Sequence, residues 1–211
     1  MKSEYGPTLG QLLAPRWHRA SRLLKALLIA LCVGFLALAV GLVLTLENAH
    51  YSQGGKLPFH FAYRGLHRVP ADPGAYVKLE QRNSEGGLLY SYEVSPLHLP
   101  AYEGELTGEL PRYASGYIAT LSPRVPGFVL SGEGKTRVNT VPAYEVLYTT
   151  LVEGREMYGR NVLLAPEGKG VREGVIIAML TATTASSEIK APYEVASAGT
   201  LLRPLKTFTF G

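Results

Sequence analysis

Aspartate and cysteine are almost missing from this chain of 211 residues, which has one of each, Asp72 and Cys32. A lone cysteine closes no disulfide within the chain, so the fold must be held by its core. A lone aspartate leaves little for a calcium loop or a two-metal carboxylate site. No Gly-x-Ser-x-Gly elbow occurs, and outside the apolar stretch around Cys32 no thiol remains to act as a nucleophile. Gly134-Lys135-Thr136 has the end of a phosphate loop without its beginning. That motif needs a glycine five positions before the Gly-Lys pair, where Val129 stands. His50, His60, His67 and His98 are scattered, with no pair at the spacing that lets ligands converge on a metal. Glu103 and Glu105 read as solvated loop charges. These absences point away from an enzyme, and no catalytic residue, metal site or cofactor is expected.

Charge is also missing from Ala26 to Leu46, a run of twenty-one residues. As a helix it would extend about 31 Å at roughly 1.5 Å per residue, against a bilayer core about 30 Å thick. Before it come Lys2, Arg16, Arg19, Arg22 and Lys25, opposed only by Glu4. From Glu47 onward, sixteen basic residues balance sixteen acidic ones, so the net charge of +4 lies in the amino-terminal segment. The basic pI of 9.1 therefore reports a topology signal and not a nucleic-acid partner. Positive charge beside a span stays cytoplasmic, which places the N-terminus inside and the following domain outside. A cleaved signal peptide has a shorter apolar core, and a lipoprotein would want a small residue where Leu31 precedes Cys32. The expected organisation is a basic segment over 1–25, a transmembrane helix over 26–46, a tether over 47–56 and an extracytoplasmic domain over 57–211. Within the span, Ala30 and Gly34 have the four-residue spacing of close helix packing, and Gly41 adds a further small residue.

The outer segment reads as α+β, with an antiparallel sheet flanked by helices. Phe59 to Tyr63 alternates as a half-buried strand does. Tyr76–Gln81 and Leu88–Val94 flank a glycine-bearing turn and read as a hairpin. Leu106, Leu110, Ala114, Tyr117, Ile118 and Leu121 recur at three- and four-residue spacing, which predicts a helix with Pro111 in its first turn. A strand from Phe128 leads to a glycine-rich turn at Gly132-Glu133-Gly134. Three longer strands follow, over Ala143–Val152, Met157–Ala165 and Gly174–Ala182, joined by turns too short for a parallel crossover. The strand from Ala143 is apolar on both faces, as in a sheet covered on both sides. The last helix is expected from Pro192 to Arg203, ended by Pro204.

Three segments carry a resemblance: Leu57 to Tyr63, Val141 to Val146, and Tyr158 to Leu164. With this element order, they resemble the PsbP/Mog1-like α/β/α sandwich over most of Glu47–Gly211. The resemblance implies a non-catalytic binding or assembly module and transfers no functional residue.

Twelve tyrosines follow the apolar stretch. Tyrosine suits a core edge or a contact surface, and interfaces favour it beside arginine. The candidate contact residues are Tyr158 with Arg155 and Arg160 near a turn, and Tyr113 with Tyr117 on one helix face. The expected role is a single-pass accessory or assembly subunit of a membrane complex. Its partners would be the lipid bilayer and a membrane-embedded protein, with no nucleic acid. The alternative is a module that binds a lipid or small ligand at the membrane surface.

Overall fold

The computed structural model describes residues 26–27, 29–38, 49–168 and 170–211. The chain divides into two units, 1–47 and 48–211. In the first, residues 29–38 are helical, and their side chains are exposed. Ala30 and Gly34 lie on this helix, and a Cβ built at Gly34 would touch nothing within 4 Å. Gly41, the rest of the expected span and the basic segment lie outside the described residues. Among the described residues, no helix is long and apolar enough to cross a membrane.

The second unit is built on seven antiparallel strands in the order β3-β4-β5-β9-β8-β7-β6. They are β3 (His67–Val69), β4 (Val77–Arg82), β5 (Leu88–His98), β6 (Val129–Val138), β7 (Val141–Val152), β8 (Arg155–Leu164) and β9 (Glu173–Ala182). Helix α1 (Leu106–Leu121) covers one face, packing on β6, β7 and β8. The other face is covered by a small sheet, β1 (Ala49–Gln53), β2 (Phe59–Tyr63) and β10 (Thr209–Phe210), in the order β1-β2-β10. A 3₁₀ turn, Pro192–Glu194, and the short helix α2 (Leu202–Lys206) complete that layer. The expected α+β architecture is present, with one correction: a second small sheet shares the flanking role with the helices.

The larger core lies between the sheets. Phe59 and Phe61 project from β2 against Phe208, with ring centroids 5.2 and 6.2 Å away, and Tyr92 meets Phe61 at 5.1 Å. All four are fully buried. Each contributes about 1.5–3 kcal/mol through apolar burial, so these rings are a principal bond between the two layers. The second core lies under α1, where Leu106, Leu110, Ala114 and Leu121 meet Val146, Leu163 and Ile176. The spacing of those helix residues puts them on one stripe, as the sequence implies.

Several expectations are corrected. Residues 49–53, assigned to the tether, form β1 and pair with β2 from Ala49↔Tyr63 to Gln53↔Phe59. Pro111 is inside α1, since the helix already begins at Leu106. Gly132 to Gly134 do not turn; they continue β6, and the reversal comes at Asn139-Thr140, where Asn139 takes φ 53. The expected helix from Pro192 breaks after one turn, because Ala196 and Gly199 adopt φ 62 and 70. Pro204 then falls in the first turn of α2, where its missing N–H would have had no helical partner. Strand β7 is only partly covered on its second face: Leu151 remains 47% exposed.

Candidate functional site

Antiparallel register lines up side chains across the sheet into rows, and two such rows form the floor of a groove beside α1. One runs Lys78–Glu93–Ala178–Asn161–Val146, and the next runs Glu80–Ser91–Leu180–Gly159–Tyr148. Alternation puts both rows on the face that α1 partly covers. The helix packs over the Val146 and Tyr148 end of these rows, and their Glu93 and Lys78 end lies beyond it. The small residues Ala178 and Gly159 keep the floor low. The result is a cavity of about 420 Å³, walled by Tyr117, Thr120 and Arg124 on the helix side.

At the roofed end lies a relay of polar groups. The buried Asn161 accepts a hydrogen bond from the Tyr148 hydroxyl at 3.1 Å and donates one to the Tyr117 oxygen at 2.7 Å. The Tyr117 hydroxyl is thereby an acceptor, and its own proton has no acceptor among the described residues. Burial pushes both phenols well above the ordinary tyrosine value. For Tyr117 the neighbouring Tyr148 adds to this, while the Asn161 hydrogen bond opposes it. Both groups are therefore neutral hydroxyls at physiological pH, suited to hydrogen bonding and not to proton abstraction. Tyr148 can lie flat here because its cross-strand partner is Gly159, where any Cβ would collide with the ring. Thr150 donates to the Pro126 carbonyl at 2.8 Å and fixes the segment that follows α1.

At the open end, one ammonium serves three carboxylates. Lys78 Nζ is 3.1 Å from Asp72, 3.6 Å from Glu93 and 4.0 Å from Glu80. Burial pulls the Lys78 pKa down, but the hydrogen bond to Asp72 and the three negative charges outweigh it, so the net shift is upward. Glu93 is shifted up as well, first by burial and then by the charge of Asp72, which Lys78 only partly offsets. Among the described residues, no group of His, Cys, Asp or Glu is arranged to hold a metal.

Of the residues singled out from sequence, Tyr117 is in this groove. Tyr113 stacks beside it with ring centroids 6.4 Å apart. The trio Tyr158, Arg155 and Arg160 is not brought together. Residues at odd and even positions of β8 face opposite ways. Tyr158 and Arg160 point toward the small sheet, while Arg155 packs over Gly87 near the β4–β5 turn. Arg160 donates to the Val195 carbonyl at 2.9 Å and sits 2.7 Å from Glu145, where it binds the 3₁₀ turn to the sheet. Sequence reasoning missed Lys78, Ser91, Glu93, Thr150 and Asn161. Their only signal is polar alternation within strands, which looks identical on a solvated face.

No family model matches the chain, and no curated protein sequence matches it. Solved structures similar to this chain include the following three. The cyanobacterial PsbP (CyanoP) of Synechocystis shares 18% identity over 78% of this chain and 93% of that one, with a TM-score of 0.51. The Ran-binding protein Mog1p of Saccharomyces cerevisiae shares 11% over 77% and 94%, with a TM-score of 0.48. LpqN, involved in cell envelope biogenesis of Mycobacterium tuberculosis, shares 12% over 78% and 91%, with a TM-score of 0.46. The likeness to CyanoP shows a PsbP-like fold over about three quarters of the chain, and at this identity it shows the fold alone.

Proposed function

We propose that the PsbP-like domain is a non-catalytic binding module. Its groove receives an extended segment of a protein partner, and residues 26–46 hold the domain at a membrane with the N-terminus cytoplasmic. The observation that carries the groove reading is the convergence of two registered rows on one open cavity. Its lining offers Ser91, Thr150 and Tyr117 for hydrogen bonding beside the apolar Ala178 and Leu180. A peptide backbone with small side chains matches that mixture. The lining offers no histidine or thiol, and its two buried phenols are held neutral. The membrane reading rests on the uncharged run and the cationic segment before it. An anchored domain meets a membrane-embedded partner at raised effective concentration.

A photo-crosslinking residue at Thr120, on the groove rim, tests the first part in the full chain within its native membrane. A discrete protein adduct should form there and not from exposed Glu188, and Ser91→Trp, which fills the floor, should abolish it. Equal adducts at both positions, or one that survives Ser91→Trp, overturns the groove. A reporter fused after Gly211 tests topology: activity restricted to the cytosol overturns the anchored arrangement. The cavity volume also falls in the range of small-ligand sites, about 300–1,000 Å³. Native mass spectrometry of the detergent-purified chain would show a retained small molecule if that second reading holds.

A further inference from the structure

Among the described residues, strand β6 is the long unpaired edge of the main sheet; β3, at the opposite edge, has three residues. β6 has ten residues and is exposed over most of its length. Natural sheets protect such edges with charges and bulges, because the outward backbone groups are a template for another strand. β6 has a bulge between Leu130 and Gly132 and charges at Glu133, Lys135 and Arg137. The order of those charges does not repel a second identical strand. It matches one.

We infer that two copies of this chain pair β6 with β6, antiparallel, about a twofold axis through Gly134. The two-residue loop at Asn139-Thr140 makes Val138↔Val141 a hydrogen-bonded pair within the hairpin, and such pairs alternate along the ladder. Gly134 and Thr136 thus direct their backbone groups to β7, and Glu133, Lys135 and Arg137 direct theirs outward. With the axis at Gly134, Glu133 of each copy lies opposite Lys135 of the other. These are the positions with free backbone groups, so the register gives about four inter-strand hydrogen bonds. It also sets opposite charges directly across from each other, twice by symmetry. A contact related by a twofold axis is self-complementary and closes as a dimer. Gly134 at the axis has an unobstructed position: a Cβ there would meet nothing within 4 Å. A strand from a different protein could use the same edge, but it would have no reason to share this palindromic charge order.

The register makes the test sharp. In the full chain with Cys32→Ser, Gly134→Cys puts two thiols on the axis in a non-hydrogen-bonded pair. Their Cα atoms would be about 4.5 Å apart, within disulfide reach. Lys135→Cys separates its own copies by about 8 Å, beyond that reach, and Thr136→Cys separates them further. Under mild oxidation in detergent, most of the Gly134→Cys chain should become a linked dimer, while the other two variants stay monomeric. Glu133→Lys should weaken the unlinked dimer roughly tenfold by sedimentation, and adding Lys135→Glu should restore it. Recovery in the double variant excludes simple misfolding. Monomeric Gly134→Cys, linkage spread evenly over the three positions, or a mixed disulfide with another protein overturns the inference.

Discussion

Tyr148 lies across Gly159, its directly opposed partner in the β7–β8 ladder. The absent side chain at 159 is what lets the ring lie flat, reach Asn161 with its hydroxyl and pack beside Phe128, with ring centroids 5.1 Å apart. The groove's roofed end thus depends on an empty position. Gly159→Val should displace Tyr148 and destabilise the chain by about 1–3 kcal/mol, as overpacking of a tight site does. Gly134→Ala, with open space around it, should change stability by less than about 1 kcal/mol. Urea denaturation of the two variants checks the contrast, and equal effects would refute the role given to Gly159.

Asn161 is buried and serves two phenols, so its loss leaves both without their partner. Asn161→Leu should cost about 2–3 kcal/mol, because unpaired buried polar groups are expensive. Tyr148→Phe removes one hydroxyl and the group it bonds loses only one contact, so it should cost about 1 kcal/mol. The combined variant should cost less than the sum, since the deleted groups belong to one network. A double-mutant cycle measures this, and strict additivity would show that the relay does not couple.

Much of this architecture can be read directly from residue order. The β4–β5 hairpin, α1 and the three long strands emerge from periodicity, because their apolar faces are buried and the pattern records burial. The glycines at 132 and 134 mislead for the opposite reason. On an edge strand with little above it, no packing demands a side chain, and the composition resembles a turn. Pro192 to Arg203 misleads through backbone conformation: Ala196 at φ 62 leaves no compositional mark. The groove was legible only at Tyr117. Lys78, Glu93 and Asn161 are distant in sequence and meet through register, which depends on pairing across four strands.

Glu93 should give the chain a specific pH dependence. Its carboxyl has a raised pKa in the folded state, chiefly through burial. The folded chain therefore holds that proton more tightly than the unfolded chain. The stability this confers is complete below the unfolded pKa and is lost as pH rises through the folded one. Glu93→Gln removes the effect. Relative to the parent, it should gain up to about 1 kcal/mol between pH 4 and pH 8, measured as the difference in urea unfolding free energy. A difference that stays flat across that interval would refute the assignment.

Arg160 distinguishes a structural cation from a contact residue. Its side chain is 14% exposed, and it faces a Glu145 carboxylate that is 21% exposed, at 2.7 Å. That contact joins charges without good hydrogen-bond alignment, and Arg160 Nε has no partner among the described residues. The firmer link is the donation to the Val195 carbonyl, which ties the 3₁₀ turn to β8. Arg160→Leu would leave Glu145 partly buried without a counter-charge and free the Val195 carbonyl, for a loss of about 2–3 kcal/mol. Glu145→Leu combined with Arg160→Leu should recover part of that loss, because neither charge then needs compensation. A surface arginine that only contacts a partner would leave unfolding unchanged when replaced. Stability by urea titration in the absence of any partner therefore separates the two roles: a loss below about 0.5 kcal/mol would return Arg160 to the contact surface.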